Sequence, residues 1–121
     1  MMLYAVLLVE DHQPWLDRWT EDILELRDDV LVLCANTIVK AEELFEQCPG
    51  VAVIVMDACV PGDSQNTEFL VRSVRKTFKG SMIAASGDAH YRKELMAAGC
   101  DYECTKPEVP QKVIELLGDP A

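Results

Sequence analysis

Four runs of consecutive apolar residues divide the chain: Ala5-Val6-Leu7-Leu8-Val9, Val30 to Ala35, Val51 to Met56, and Met82-Ile83-Ala84-Ala85. Uninterrupted runs of this length predict strands buried on both faces, as in a parallel sheet. Between them the apolar spacing switches to that of helices. Pro14 suits a first helical turn, and Leu16, Trp19, Ile23 and Leu26 follow at helical intervals. Asn36 or Thr37 can cap a second helix with Ala41, Leu44, Phe45 and Cys48 inward, and Pro49-Gly50 ends it. After a long polar loop, 57–66, a third helix is predicted over 67–78. Lys79-Gly80 turns into the fourth strand. Asp88 caps a helix from Ala89 to Ala98, Gly99 stops it, residues 101–105 form a short strand that alternates polar and apolar as at a sheet edge, and Pro110 opens the last helix.

This pattern is five βα units. Right-handed crossovers then give a parallel sheet with helices on both faces. At 121 residues the chain is expected to be one domain over 1–121, with no linker or internal repeat.

Each strand end carries chemistry. Glu10-Asp11 follow the first strand, Asp57 the third, Ser86-Gly87 the fourth and Lys106-Pro107 the fifth. In open α/β sheets ligands bind outside the carboxyl ends of the strands, so these residues are expected around one pocket. Three carboxylates, a hydroxyl and an ammonium suit a divalent cation and a phosphoryl group.

The net charge of −10 argues against a nucleic-acid surface, which needs Lys and Arg. No apolar stretch approaches the ~18 residues of a membrane span, and the N-terminus lacks the basic flank of a signal peptide, so a cytoplasmic protein with no membrane or nucleic-acid partner is expected. Five cysteines without a Cys-x-x-Cys pair, and only 2 histidines, predict free thiols rather than a zinc site. Cys34, Cys100 and Cys104 read as small buried apolar residues. Trp15 is expected to be partly exposed and Trp19 in the core. Glu42, Glu43 and Glu46 read as a solvated helix face.

Taken in order along the chain, Glu10-Asp11, Asp57 with Pro61-Gly62, Ser86-Gly87 and Thr105-Lys106-Pro107 resemble the receiver domains of two-component response regulators, over essentially the whole length. The resemblance implies a doubly wound five-stranded parallel sheet of order 2-1-3-4-5, flavodoxin-like, with five helices in three α/β/α layers. It implies Asp57 as phosphoacceptor, with Lys106 and Ser86 engaging the phosphoryl oxygens. It also implies Mg²⁺ as cofactor, held by Glu10, Asp11, Asp57 and the backbone carbonyl of Cys59. The implied partners are a histidine kinase or phosphotransfer protein and an output protein reached by contact or onward relay. No classical enzyme activity is implied, only promotion of the domain's own phosphorylation and dephosphorylation. A cis Lys106–Pro107 bond is also implied.

Three features depart from the family pattern. Glu10 stands where Asp is usual, and the loop after Pro61 is about two residues longer than is common. Glu103 occupies the position, three before the lysine, where an aromatic switch residue is usual. Tyr102 lies one place earlier and should face the other side of the sheet. The alternative reading is a receiver-like docking module that signals without phosphorylation. A flavin-binding electron carrier of similar topology fits poorly, because Glu10-Asp11-His12-Gln13 would repel a phosphate after the first strand.

Overall fold

The five apolar or edge segments form strands β1 (Tyr4–Val9), β2 (Val30–Ala35), β3 (Val51–Asp57), β4 (Ser81–Ala85) and β5 (Tyr102–Cys104). All pair in parallel, in the order β2-β1-β3-β4-β5. The helices are α1 (Gln13–Leu26), α2 (Ile38–Gln47), α3 (Glu68–Arg75), α4 (Ala89–Ala98) and α5 (Val109–Leu117), the last entered through a 3-10 turn, Lys106–Glu108. These features belong to a computed structural model that describes residues 3–62 and 64–118.

Strand alternation divides the core into two layers. Val6, Leu8, Val53, Val55, Ile83 and Ala85 pack with Leu16, Trp19 and Ile23 of α1 and Val109 and Val113 of α5. Leu7, Val9, Ile54, Met56, Met82 and Ala84 face the other way, against Ala41, Val71 and Leu95 of α2, α3 and α4. Central β3 is buried along nearly its whole length, which is why it reads as an unbroken apolar run. Truncating Ile54 or Met56 to Ala would cost about 2–5 kcal/mol.

The predicted caps form. Thr37 accepts from the Lys40 N–H at 3.0 Å, and Asp88 accepts from those of His90 and Tyr91 at 2.9 and 3.1 Å. Glu42, Glu43 and Glu46 are exposed, Trp19 is buried and Trp15 half-buried. Among the described residues no helix is long and apolar enough to cross a membrane.

Two expectations are corrected. The third helix ends at Arg75 rather than Phe78, because the N–H groups of Lys76 and Thr77 shift to carbonyls three residues back, those of Ser73 and Val74, and tighten the last turn. Arg75 holds this turn by donating to the carbonyls of Phe78 and Gly80 at 3.0 and 3.1 Å. Phe78 then enters the core, edge-on to Phe45. Cys34 is exposed, not buried, because β2 is an edge strand whose interior residues, Leu31 to Cys34, are incompletely covered on both faces. Cys100 and Cys104 are buried as expected.

Candidate functional site at the carboxyl edge of the sheet

The strand-end residues meet as predicted. Glu10, Asp11, Asp57, Cys59, Ser86 and Lys106 line one cleft of about 510 Å³. Asp57 closes the most buried strand and is itself 3% exposed. Lys106 Nζ donates to Glu10 Oε1 at 2.7 Å and lies 3.5 Å from Asp57 Oδ1. Glu10, Asp11 and Asp57 each present an oxygen, all within 4.8 Å of one another.

Glu10 is fully buried. Burial pushes its carboxyl up from 4.5 to about 8, with Asp57 adding to the rise and Lys106 opposing it. Its Oε2 is the buried side-chain oxygen without a hydrogen-bond partner among the described residues. A bond to Asp57 would need a proton on one of the two carboxyls, whereas a cation would satisfy both. For Lys106, burial disfavours the charged form, but the hydrogen bond to Glu10 and the charges of Asp57 and Glu10 outweigh it and raise its pKa. An all-oxygen, anionic donor set with an orphaned carboxylate oxygen fits a hard divalent cation such as Mg²⁺ or Ca²⁺.

Lys106 is aimed from outside the cleft. Its carbonyl accepts from the buried indole N–H of Trp19 at 2.9 Å, which ties the lysine backbone to α1. Thr105 and Glu108 close a capping box over the same turn. The Lys106–Pro107 bond is trans, contrary to expectation; the cis bond among the described residues is Val60–Pro61. The physical reason is the helical turn that begins at Lys106, with Pro107 seated in its first positions, where its fixed φ fits.

Ser86 is buried, and its Oγ accepts from the Asp88 N–H at 3.0 Å. Its carbonyl accepts from Arg92 Nη1 at 2.7 Å. Tyr102 and Glu103 diverge as alternation requires: Lys112 of α5 lies 4.8 Å from the Tyr102 ring centroid, and Arg92 of α4 contacts Glu103.

A signal receiver domain of a DNA-binding response regulator from Colwellia psychrerythraea 34H matches with a TM-score of 0.80, over 96% of this chain and 99% of that one, at 16% identity. The chain has the receiver-domain fold. A CheY-like receiver domain protein from Methanospirillum hungatei JF-1 matches with a TM-score of 0.72 over 95% of this chain and 90% of that one, at 23% identity. A response regulator from Burkholderia pseudomallei, solved with a phosphorylated aspartic acid, a calcium ion and citrate, matches with a TM-score of 0.78 over 94% of this chain and 66% of that one, at 15% identity. No protein-family model matches the sequence, and no curated protein matches it.

Within this receiver fold several polar residues serve the cleft that the strand-end pattern did not single out. Arg92 holds the Ser86 carbonyl. Asn66 and Thr67 hold the backbone beyond Asp57, and Gln65 caps α3 by accepting from the Glu68 N–H at 2.9 Å. Asn66-Thr67 before an apolar helix reads as ordinary capping sequence; only the burial of Thr67 sets it apart.

Proposed function

We propose that the chain is a phosphoacceptor signalling domain that takes a phosphoryl group onto Asp57. The observation that carries this reading is the Lys106 ammonium, 3.5 Å from the buried Asp57 carboxylate in a cleft shared with Glu10 and Asp11. The Burkholderia pseudomallei structure of the same fold, with its phosphorylated aspartic acid and calcium ion, supports it.

The chemistry is nucleophilic displacement at phosphorus. A carboxylate oxygen of Asp57 bonds to the phosphorus of a phosphohistidine on a kinase or phosphotransfer protein, or of a small acyl phosphate. The bond from phosphorus to the leaving nitrogen or oxygen breaks, and the leaving atom keeps the electron pair. Lys106 presents a compact positive charge to the phosphoryl oxygens as negative charge gathers there. The Ser86 hydroxyl, in the same cleft, would donate to a phosphoryl oxygen once Asp57 is modified. Glu10, Asp11, Asp57 and the Cys59 carbonyl would hold Mg²⁺, which when bound supplies charge neutralisation for the transfer. Output then passes through protein contact or onward relay.

Intact mass tests this reading. Acetyl phosphate with Mg²⁺ is expected to add one phosphoryl group to the wild-type chain and none to Asp57→Asn. Equal labelling of the variant overturns the assignment. The second reading, a docking module independent of phosphorylation, is favoured by Glu103, which is ion-paired to Arg92 at the position where the receiver resemblance implies an aromatic. A folded wild-type protein that gains no mass would support it.

A further inference from the structure

The Thr67 hydroxyl does not do what a threonine at a helix start ordinarily does. At an N-cap, Thr accepts from the N–H groups of the first turn. Here Thr67 begins α3 without any such bond, and the Gln65 side chain accepts from the Glu68 N–H instead. The hydroxyl turns back and donates to the Asp57 carbonyl at 2.7 Å, with the Ala58 carbonyl at 3.2 Å. Thr67 is fully buried, so this bond is shielded from water.

Asn66 works on the next peptide. Its N–H donates to the Ala58 carbonyl at 2.9 Å. Its side-chain Oδ1 accepts from the Val60 N–H at 2.7 Å, and its Nδ2 donates to the Val60 carbonyl at 2.8 Å. The Val60 N–H and the Cys59 carbonyl belong to one planar peptide unit, and in a trans unit they point in opposite directions. Holding the N–H on Asn66 therefore turns the Cys59 carbonyl away from Asn66. Two peptide units separate Asp57 from the unit that carries that carbonyl, and both have their oxygens held by this pair.

We propose that Asn66 and Thr67 are positioning residues that set the Cys59 carbonyl relative to the Asp57 carboxylate, so that both can ligate one divalent cation. This rests on the phosphoacceptor reading and adds to it the residues that fix the cation site. Neither side chain needs to touch the cation. They act by removing the freedom of the strand-end backbone, as groups behind metal ligands do.

The test compares Thr67→Val, which keeps the shape and loses the hydroxyl, with Thr67→Ser, which keeps the hydroxyl, and with Asn66→Ala. Mg²⁺ affinity is measured by calorimetry, and exchange of the Val60 amide is followed by NMR in the metal-free protein. Thr67→Val and Asn66→Ala are expected to weaken Mg²⁺ binding by about 10-fold or more. Thr67→Ser is expected to stay near wild type. The Val60 amide is expected to lose protection in Asn66→Ala before any metal is added. Wild-type affinity in a folded Thr67→Val overturns the proposal, as does equal weakening in Thr67→Ser. If Asn66→Ala does not fold, the Thr67 pair decides alone. A wild-type chain that takes up no Mg²⁺ overturns both this proposal and the cation part of the phosphoacceptor reading. Wild-type binding with unaffected variants overturns the proposal only.

Discussion

Glu103 is tied to Arg92: its Oε1 accepts from the guanidinium Nε at 3.0 Å, while the same arginine donates from Nη1 to the Ser86 carbonyl at 2.7 Å. One planar cation thus joins the end of β4, the helix α4 and the edge strand β5. The rigid fork of arginine suits this three-way contact, and lysine would not reproduce it. The receiver resemblance implies an aromatic at the Glu103 position that responds to the phosphoryl group. Here the position carries a charge whose partner also touches the serine expected to move.

Glu103 is therefore expected to stay outward, on Arg92, when the site is activated. Moving a carboxylate inward would desolvate it and bring it toward a negatively charged phosphoryl group. The measurement is a pair of structures with and without beryllofluoride. The idea is sunk if Glu103 turns inward, or if Tyr102 leaves Lys112 to take its place. As a partly exposed pair, Arg92–Glu103 is worth only about 0.2–1 kcal/mol, so Glu103→Gln should barely change the melting transition.

Mg²⁺ is expected to bind the unphosphorylated protein modestly and to depend on Asp11. A site with few protein ligands leaves several waters on the ion, which limits affinity. Trp15 lines the same cleft, so its fluorescence should report the titration. Asp11→Ala should weaken binding by about 10-fold or more. Unchanged affinity would remove Asp11 from the cation site.

What was legible in the sequence follows from the range of the forces involved. The strands were readable because Val51 to Met56 and Ala5 to Val9 are buried on both faces, so burial leaves a continuous run. The site was readable because strand ends in such a sheet converge. Features set by contacts distant in sequence were not readable. Trp19 fixes the Lys106 backbone across 87 positions, and Arg75 reaches the Gly99 carbonyl across 24. The exposure of Cys34 depends on where β2 lies in the sheet, at its edge. The trans Lys106–Pro107 bond and the early end of α3 are set by local turns that apolar spacing does not report. The diverted Thr67 hydroxyl is local in sequence, but capping statistics point it the wrong way.

The five thiols should differ in reactivity. Burial pushes the Cys100 thiol up to about 12 and the Cys104 thiol to about 11, so neither supplies thiolate near neutrality. Cys34 is exposed, and Cys48 and Cys59 are half-buried. Brief alkylation of the folded protein at pH 8 should label Cys34 first and leave Cys100 and Cys104 untouched, while the denatured chain should label at all five. Early labelling of Cys100, followed by peptide mass mapping, would show that the α4–β5 junction opens far more readily than its packing implies.

The buried carboxyl of Glu10 should make the metal-free protein less stable as pH rises. In the unfolded chain Glu10 releases its proton near pH 4.5; in the fold it holds the proton until about pH 8. Between these values the folded state binds more protons, so each step up in pH favours unfolding. The stabilising contribution is complete below pH 4.5 and lost as pH rises through about 8. The loss should be on the order of a few kcal/mol. The raised Lys106 pKa acts only above this window. Denaturant unfolding in chelator, from pH 5 to pH 9, checks the effect. Glu10→Gln keeps an acceptor for Lys106 but removes the titration. Its stability should fall less steeply with pH than that of wild type and should exceed it at pH 9. Parallel curves for the two proteins would mean that Glu10 ionises in the fold as it does in water, and that Lys106 alone balances the charge of the cleft.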